Sequence, residues 1–413
     1  MANTAELTKH IPLLDLGRQY AQIREEVLAA IEKVCASQQF ILGGEVEAFE
    51  SEIAAITGTQ YAVGCASGTD ALWLALAASG VGPGDRVITS PFSFFASASS
   101  IVRAGAEPVF ADVEPGTLNL DPEKVKTVLE ASISSSRRGS RKPASRFARN
   151  GKSGNQDGRS ERKLTALLPV HLYGQCADMR TLGQIADEHN LAVIEDAAQA
   201  IGAAWQSKPA GSFGTAAAFS FYPTKNLSAY GEAGIVTTQS AEIADRMRRL
   251  RTHGSPERYL HTEFGWNARM DAIQAAVLRV KLKYLRKWTE QRRENARKYR
   301  KLLNDSGLTS GKHAPITPLQ TSKDAFHVYH QFVVRARKRD ALRKFLGARG
   351  IGTEVYYPTP LHLQPVFRYL GYKRGDLPES ERAAQEVVAL PMFPELQEEE
   401  QRIVVESIAD FYV

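Results

Sequence analysis

Short apolar runs alternate with amphipathic stretches along much of the chain, and this alternation predicts a layered fold. Runs rich in β-branched and other apolar side chains predict strands at residues 61–65, 86–89, 108–113, 166–172, 191–195, 217–222 and 234–238. Helical patterns lie between most of them, at residues 71–78, 122–131 and 181–189. Such alternation favours an α/β fold with a large, mostly parallel seven-stranded sheet covered by helices on both faces. Ligands then bind beyond the carboxyl ends of the strands.

A change of pattern near residue 262 predicts a second, smaller unit. Apolar residues three and four apart form one stripe of a long helix that starts near Ala268, namely Ile273, Val277, Val280, Tyr284 and Trp288. The other positions predict a solvated face, formed by Lys281, Lys283, Arg286, Lys287, Arg292 and Arg293. Strand-like runs follow at residues 330–335 and 352–357. We therefore expect a large domain over residues 1–262 and a smaller C-terminal α/β domain over residues 263–413.

Composition leaves this picture unchanged, but charge adds one feature. The 413 residues are 43% hydrophobic and 24% charged, which is ordinary for a globular protein, and the formal net charge is +6. Residues 132–163 hold ten Lys or Arg and two acids, so this segment carries +8 and the remainder −2. We therefore expect no nucleic-acid or membrane partner. The segment has little to bury and predicts a disordered basic surface loop, with docking to an anionic surface as the alternative.

Several other classes of protein are disfavoured by the sequence. The N-terminal residues lack a charged segment leading into an apolar run, and nowhere are there 18 consecutive apolar residues. The three cysteines are odd in number and lack metal-ligand spacing. We expect a cytoplasmic, soluble protein with no metal site and no disulfide framework.

Two predicted strands end in groups that can do chemistry. Residues 219–227 (FSFYPTKNL) run from a strand into one lysine, Lys225, at the edge that faces a ligand cleft. Partial desolvation there lowers the pKa of the amine and favours the neutral form, which makes a Schiff base with an aldehyde. Residues 191–199 (LAVIEDAAQ) carry Asp196, which can keep a pyridine nitrogen protonated and make a pyridoxal ring an electron sink. A surface lysine and a helix-capping aspartate are the alternatives.

A stretch of small residues follows the first predicted strand and precedes a helix. Residues 65–70 have the sequence CASGTD. Small side chains let backbone N–H groups approach an anion, and the helix N-terminus adds its dipole. The stretch is therefore a candidate phosphate site, and the alternative is a turn that needs these residues only for its geometry.

These three strings, with further motifs in order along the chain, resemble one known family. The motifs are residues 11–16 (IPLLDL), 40–44 (FILGG), 93–97 (SFFAS), 170–175 (VHLYGQ), 265–271 (GWNARMD) and 357–364 (YPTPLHLQ). Together they resemble the DegT/DnrJ/EryC1/StrS family of nucleotide-sugar aminotransferases. Membership implies dependence on pyridoxal 5'-phosphate and the fold-type I architecture of the aspartate aminotransferase class. The resemblance runs from Ile11 to about the C-terminus.

The resemblance implies a role for each matching residue. Lys225 corresponds to the Schiff-base lysine, which also carries the proton between the amino donor and the cofactor. Asp196 corresponds to the partner of the pyridinium nitrogen and Gln199 to the group bonded to the phenolic oxygen of the ring. Phe94 corresponds to the aromatic stacked on one ring face, and Ala198 lies against the other. Phosphate contacts are implied for Gly68, Thr69 and Ser220 and, from the neighbouring subunit, for Asn267. The last match implies a homodimer with two shared active sites.

The same resemblance implies a reaction. Nitrogen would pass from an amino-acid donor, L-glutamate or glutamine, to a nucleotide-linked keto sugar, giving an aminosugar for a surface polysaccharide or a glycosylated metabolite. Residues 170–175 and 357–362 are more similar to relatives that act on 3-keto sugars than to those that act on 4-keto sugars. Candidate sugar contacts are Tyr222, Tyr357 and His362. Departures from the family pattern are the long segment 132–163, Ser228, Glu232 and Tyr356.

Three alternatives stay open at this point. The first is a 4-keto sugar aminotransferase, the second a pyridoxal-phosphate-dependent sugar dehydratase, and the third a non-catalytic regulator that binds the cofactor. Dehydratases of the family resemble this sequence but have histidine where Lys225 stands, which argues against the second. The intact set of Lys225, Asp196 and Gln199 argues against the third.

Overall fold

A seven-stranded sheet forms the centre of the chain. The computed structural model describes residues 10–139 and 163–413. Its strands are β1 (Tyr61–Cys65), β2 (Asp85–Thr89), β3 (Glu107–Phe110), β4 (Lys163–Leu168), β5 (Ala192–Asp196), β6 (Ala204–Trp205), β7 (Lys208–Pro209), β8 (Ala216–Ser220), β9 (Gly234–Thr238), β10 (Ile316–Pro318), β11 (Ala325–Phe326), β12 (Phe332–Ala336) and β13 (Val387–Leu390). The large sheet has the order β1-β9-β8-β5-β4-β2-β3. Strands β8, β5, β4, β2 and β3 are parallel, and β9 is antiparallel to β1 and β8. The predicted fold class is confirmed.

Helices connect many of the strands, and four of them begin at a short polar side chain that caps the first turn. The helices are α1 (Leu16–Ser37), α2 (Gly44–Thr57), α3 (Gly68–Ala78), α4 (Phe95–Arg103), α5 (Pro122–Gly139), α6 (Met179–Glu188), α7 (Ala241–Leu250), α8 (Ala272–Leu282), α9 (Leu285–Asp305), α10 (Arg339–Ala348), α11 (Pro378–Glu386) and α12 (Glu398–Tyr412). The side chains of Asp15, Ser67, Asp178 and Ser240 accept a backbone N–H from the first turns of α1, α3, α6 and α7. Each cap satisfies a donor that has no partner within the helix.

A buried carboxylate fixes the carboxyl end of β5. Glu195 is fully buried, and its Oε1 accepts the N–H groups of Phe213 at 2.7 Å and Gly214 at 3.0 Å. Its Oε2 accepts the N–H of Gly211 at 2.8 Å and lies 3.0 Å from His171 Nε2. These bonds tie the loop before β8 to the end of β5. Because side chains alternate along a strand, the next residue, Asp196, faces the opposite side of the sheet.

Part of the segment that the sequence predicts as a disordered basic loop is helical. Helix α5 continues to Gly139, so residues 132–139 are helical rather than disordered, and Lys163 begins β4. The helix continues because no glycine or proline interrupts the chain between Pro122 and Gly139. The rest of the predicted disordered loop, residues 140–162, lies outside the described residues.

The predicted long helix is two helices, and part of its predicted solvated face is buried. Helix α8 ends at Leu282 and α9 begins at Leu285. The apolar stripe is confirmed where Val277, Val280 and Trp288 pack on α1. Lys281 and Arg292 are buried, which corrects the prediction. Each reaches oxygen acceptors inside: Lys281 Nζ donates to Ser228 Oγ at 2.8 Å, and Arg292 Nη1 donates to the Met392 carbonyl at 3.0 Å.

A second sheet lies toward the C-terminus, with the order β10-β12-β13. Its central strand, Phe332–Ala336, overlaps the strand predicted at residues 330–335. The strand predicted at residues 352–357 does not form, and only isolated bridges pair Ile351 with Ile11 and Glu354 with Ala389. The left-handed conformation of Tyr357, with φ of 64°, ends any extended run there. The domain division at residue 262 stays a prediction.

No helix within the described ranges is long and apolar enough to cross a membrane.

Candidate active site

A cavity of about 480 Å³ lies at the carboxyl edge of the large sheet. The sheet side contributes residues that end β5 and β8 or begin α3, and the side nearer the small sheet contributes others. The lining includes Ser67, Gly68, Thr69, Ser93, Phe94, Asp196, Ala198, Gln199, Ser220, Tyr222, Thr224, Lys225, Glu232, His330, Gln331, Tyr356 and Tyr357. All the predicted site residues line it except Asn267 and His362. Its size is typical of small-molecule sites.

Lys225 supplies a half-buried amine with a lowered pKa. It stands five residues beyond the end of β8, and its backbone N–H donates to the Tyr222 carbonyl at 2.8 Å. No described residue hydrogen-bonds or ion-pairs with its Nζ. Burial lowers the pKa of the amine to about 8, and the charge of Asp196 opposes this shift. A neutral, nucleophilic amine is therefore accessible near neutral pH.

Asp196 supplies a buried carboxyl at the end of β5. Its Oδ2 accepts the hydroxyl of Ser97 at 2.7 Å, and its Oδ1 accepts the N–H of Ala198 at 3.2 Å. The Ser97 hydroxyl also lies 2.8 Å from that of Ser93. Burial raises the pKa of Asp196, and these bonds and the charge of Lys225 oppose the rise. A buried carboxylate in this position is stabilised by a protonated partner in the cavity.

The two serines that support Asp196 were missed by sequence reasoning. Ser93 precedes α4 and Ser97 lies in its first turn, so a spacing of four residues places both hydroxyls on one face. Both lie in the motif that contains Phe94. Their spacing of four residues is the sequence signal that could have placed the two hydroxyls together.

At one end of the cavity, the start of α3 lies close to the end of β8. The N–H groups of Gly68 and Thr69 begin α3, so they have no carbonyl partner within that helix. A Cβ added at Gly68 would lie 2.5 Å from the Cβ and 2.8 Å from the Oγ of Ser220. Glycine is therefore required for the start of α3 to meet the end of β8. The arrangement presents two amides and one hydroxyl to an anion.

The amide of Gln199 is oriented by its neighbours. The backbone N–H of Tyr173 donates to Gln199 Oε1 at 2.6 Å, and Gln199 Nε2 donates to the Tyr357 hydroxyl at 2.7 Å. Because the amide oxygen is occupied, the amide presents its NH₂ group to the cavity. Tyr357 is fixed in turn, with ring centroids 5.6 Å from Phe92 and 6.5 Å from Tyr173. Gln199 is thus a donor toward any ring oxygen placed there.

Aromatic faces are open to the cavity. Phe94 caps the start of α4 and is 61% exposed, so it is not part of the core of this chain. Tyr222 is 48% exposed. An exposed aromatic face in a cavity offers a stacking surface for a flat ring.

Two predicted residues are not brought to the cavity. His362 is buried in a 3-10 turn after Pro360, and its Nε2 lies 3.1 Å from Glu381 Oε1. This pairing holds the imidazole in the interior, so His362 is not placed to contact a sugar in the cavity. Asn267 is exposed, and its Oδ1 accepts from Arg269 Nε at 3.0 Å. It lies outside the cavity of its own chain.

Sequence reasoning also missed His330 and Gln331, which line the cavity just before β12. Tyr356, one of the departures from the family pattern, lines the cavity as well. His330 and Gln331 lie in or beside an apolar run, so in the sequence they have the pattern of strand side chains. The chain fold, rather than a motif, brings them to Lys225.

Comparison with known proteins identifies the family. Residues 21–409 match the model of the DegT/DnrJ/EryC1/StrS aminotransferase family. The chain therefore belongs to the DegT/DnrJ/EryC1/StrS aminotransferase family.

Individual relatives match over nearly their whole length. The chain is 48% identical over 403 residues to a pleiotropic regulatory protein of Geobacillus stearothermophilus, covering 98% of this chain and 99% of that one. It is 39% identical over 411 residues to the dTDP-3-amino-3,4,6-trideoxy-alpha-D-glucose transaminase of Streptomyces venezuelae, covering 100% and 98%. The crystal structure of S. venezuelae DesV in complex with a ketimine intermediate matches with a TM-score of 0.85 and 39% identity, covering 97% and 98%.

Proposed function

We propose that this protein is a pyridoxal 5'-phosphate-dependent aminotransferase that carries nitrogen from L-glutamate or glutamine to a nucleotide-linked keto sugar, with the 3-keto position favoured. The observation that carries the proposal is the pairing of Lys225 and Asp196 in one cavity. An amine with a pKa of about 8 and a buried carboxyl line the same space, beside an exposed aromatic face. An aminotransferase needs this combination of a reactive amine, a carboxyl and an aromatic surface.

The cavity residues fit pyridoxal phosphate. The amides of Gly68 and Thr69 and the Ser220 hydroxyl fit a phosphate, which the steric requirement for glycine at position 68 supports. The NH₂ group of Gln199 fits a ring oxygen. Asp196 fits a protonated ring nitrogen, and Phe94 offers a face to the ring. When bound, the cofactor supplies a carbonyl that takes up the amino group and a ring that stores the electron pair.

Each residue then has a defined task. Lys225 would hold the cofactor through its amine, and its Nζ would carry the proton to and from the reacting carbon. Asp196 keeps the ring nitrogen protonated, and the Ser97 hydroxyl holds the carboxylate in place. Gln199, fixed by Tyr173 and Tyr357, holds the ring's oxygen.

The leaning toward 3-keto sugars is supported by relatives. The S. venezuelae relative is named for a 3-amino sugar. A second relative, the UDP-N-acetyl-3-dehydro-alpha-D-glucosamine 3-aminotransferase of Acidithiobacillus ferrooxidans, is 39% identical over 392 residues. The regulatory name of the G. stearothermophilus relative favours the non-catalytic alternative, but Lys225, Asp196 and Gln199 are all present and meet in one cavity.

A spectroscopic experiment tests the proposal. The purified protein is converted to its pyridoxamine form with L-glutamate or, in a separate sample, L-glutamine, and is then challenged separately with 3-keto and 4-keto nucleotide sugars. We expect the absorbance band of the cofactor's carbonyl form to return with the 3-keto sugar. Return only with the 4-keto sugar would keep the reaction and overturn the favoured position. No conversion by either amino donor would favour the regulator.

The Gly68→Ala substitution is expected to weaken cofactor binding. The added methyl group collides with Ser220, so the two amides and the hydroxyl cannot converge on the phosphate. We expect the affinity for pyridoxal phosphate to fall at least about tenfold, as for the loss of one or two hydrogen bonds to a charged group. Spectroscopic titration of the cofactor-free protein measures this.

A matched glycine provides the control. Gly183 lies inside α6, and a Cβ there meets nothing within 4 Å. Gly183→Ala is expected to leave cofactor affinity unchanged and to stabilise the fold by up to about 1 kcal/mol. Equal affinities for the two variants would contradict the proposed phosphate site.

We further propose a homodimer in which Asn267 reaches the partner's cavity. Asn267 is exposed, and nearby aromatic residues are unusually open to solvent: Tyr259 is 83%, Phe264 98% and Trp266 54% exposed. A second copy covering this segment would bury these rings. The expected cytoplasmic location stays a prediction.

A further inference from the structure

Arg103 joins an exposed segment of the chain to the helix that begins at the cavity. It is the last residue of α4, and its Nη1 donates to Asp70 Oδ1, in the first turn of α3, at 2.6 Å. Its guanidinium carbon lies 4.5 Å from the ring centroid of Trp73, also in α3, and 5.9 Å from that of Trp266. The two indoles meet edge to face, with centroids 6.3 Å apart. Both rings attract the cation, so Arg103 holds Trp266 against α3.

Trp266 belongs to a segment with a fixed base, residues 253–267, which we call the arm. The N–H of Trp266 donates to the Leu250 carbonyl at 2.8 Å, and the Trp266 carbonyl accepts the N–H of His253 at 3.1 Å. These bonds bring the two ends of the arm together. Because Asn267 follows Trp266 directly, the position of the indole also constrains the backbone that carries Asn267.

The arm is anchored by charged groups on one side and is apolar at its tip. Glu263 lies between two arginines of α7, 3.1 Å from Arg246 Nε and 3.2 Å from Arg249 Nε. Tyr259 and Phe264, by contrast, are largely exposed. An apolar tip on a fixed base is suited to meeting another protein surface.

Removal of Arg103 affects the arm more than it affects the start of α3. Asp70 has a second partner, because its Oδ2 accepts the hydroxyl of Ser67 at 2.8 Å, and Ser67 also caps α3. The indole of Trp266 has less support: among the described residues, its aromatic and cation contacts are those with Trp73 and Arg103. The phosphate end of the chain's own cavity therefore keeps its helix cap without Arg103.

We propose that Arg103 is a positioning residue for the arm, and that through Trp266 it sets where Asn267 meets the cavity of a second copy of this chain. Arg103 does not line the cavity of its own chain, so it acts on the partner's cofactor site from a distance. The meeting of Asn267 with a partner's cavity rests on the proposed function. The conformation of the arm is tested without sugar or turnover, so the two can fail separately.

The conformation of the arm is measured first, in full-length, cofactor-free protein. Arg103→Met keeps an unbranched side chain but removes the charge and the hydrogen-bond donor. We expect amide hydrogen exchange in the arm to become about tenfold faster, as for the loss of one partly desolvated cation–π contact. Arg103→Lys should recover part of the protection, because an ammonium is also attracted to an indole.

Arg349 provides a matched control. Its Cζ lies 4.2 Å from the ring centroid of Phe345, and its Nη1 lies 2.6 Å from Asp410 Oδ2. Arg349 thus makes the same two kinds of contact, but its partners belong to α10 and α12. Arg349→Met should leave exchange in the arm unchanged.

Mixed dimers then show which of the two cavities depends on Arg103. Two chains with different affinity tags are co-expressed, and the dimer with one copy of each is isolated. In each pair only one chain keeps Lys225, so the absorbance band of lysine-bound pyridoxal phosphate reports the cavity of that chain alone. The reference pair is wild type with Lys225→Ala.

Two test pairs differ in which arm the reporting cavity receives. Wild type with the double variant Arg103→Met/Lys225→Ala supplies the altered arm, and Arg103→Met with Lys225→Ala supplies the unaltered one. We expect the affinity for pyridoxal phosphate to fall about tenfold in the first pair, as for one lost hydrogen bond to a charged group, and to stay close to the reference value in the second.

Unchanged exchange in Arg103→Met, an equal change in Arg349→Met, or a loss of affinity as large in the second pair as in the first would overturn the proposal. So would a chain that is monomeric at the concentration of the titration. The absence of a lysine-bound band in the wild type would overturn the proposed function and this proposal with it, whereas a band without transamination would overturn the proposed reaction alone.

Discussion

Lys225→Ala is expected to abolish transamination and to leave a folded protein. The side chain is the one described amine in the cavity, and it serves as both nucleophile and proton carrier. Its removal should lower the turnover rate by at least about a thousandfold. Lys225→Arg should lose as much activity, because a guanidinium keeps the charge beside Asp196 but makes no Schiff base. Stopped-flow absorbance of the half-reaction with L-glutamate measures the loss.

Lys225→Ala is also expected to change how the stability of the cofactor-free protein depends on pH. The folded-state pKa of the lysine, about 8, lies below its ordinary value of 10.5. The folded wild type therefore resists protonation, and its stability falls as the pH falls from about 10.5 through 8. Alanine removes this dependence, so below about pH 8 the cofactor-free variant should be at least as stable as the wild type in urea unfolding.

A second buried lysine gives the control. Lys281 also has a pKa lowered to about 8 by burial, but it bonds Ser228 and does not line the cavity. Lys281→Gln keeps a donor for Ser228 and should retain activity within a few-fold. Wild-type turnover in Lys225→Ala, or equal losses in the two lysine variants, would contradict the assignment of Lys225.

Asp196→Asn is expected to remove most activity while the cofactor-free fold keeps or gains stability. A neutral amide cannot keep the ring nitrogen protonated, so we expect turnover to fall by about a thousandfold. The amide can still accept from Ala198 N–H and donate to Ser97 Oγ, so the local hydrogen bonds survive. Activity and the unfolding free energy are measured on the same preparation.

The expected stability gain follows from the direction of the pKa shift. Burial raises the pKa of Asp196 above its ordinary value of 3.8. The ionised carboxylate is thus disfavoured in the folded chain, and the wild type loses stability as the pH rises through the raised pKa. Above that pH the amide avoids this cost. A variant that is clearly less stable than the wild type at neutral pH would contradict a desolvated carboxyl at this position, and retained turnover would contradict its role.

The approximate positions of the large-sheet strands along the chain, and the residues near their ends, could be predicted from the sequence, because local patterns determine them. Apolar runs placed β5 and β8, and Asp196 and Lys225 follow from where those runs stop. Gly68 could be predicted because a turn between a strand and a helix needs small residues. The spacing of Ser93 and Ser97 is visible in the sequence, but the bond of Ser97 to Asp196 could not be predicted, since it joins residues 99 positions apart.

The errors about which side chains are buried share a physical origin, which is that a polar side chain can find its partner far away in the sequence. Lys281 and Arg292 have the pattern of a solvated helix face, but each finds an oxygen acceptor contributed by a distant part of the chain. His362 matches a family motif, yet its ring is buried and paired with Glu381. Hydrophobic periodicity indicates which face of a helix or strand is apolar. It does not indicate which distant residue pairs with a buried polar group, and His330 was missed for the same reason.

The basic segment rejoins the described fold at a distance from the reacting groups. The segment leaves the described fold at the end of α5 and returns at Lys163, the first residue of β4. Strand β4 is parallel to β5, so its first residue lies at the edge of the sheet opposite Asp196. The six residues of β4 span about 20 Å. The point at which the chain re-enters the described fold, Lys163, is therefore separated from the reacting groups by the length of a strand.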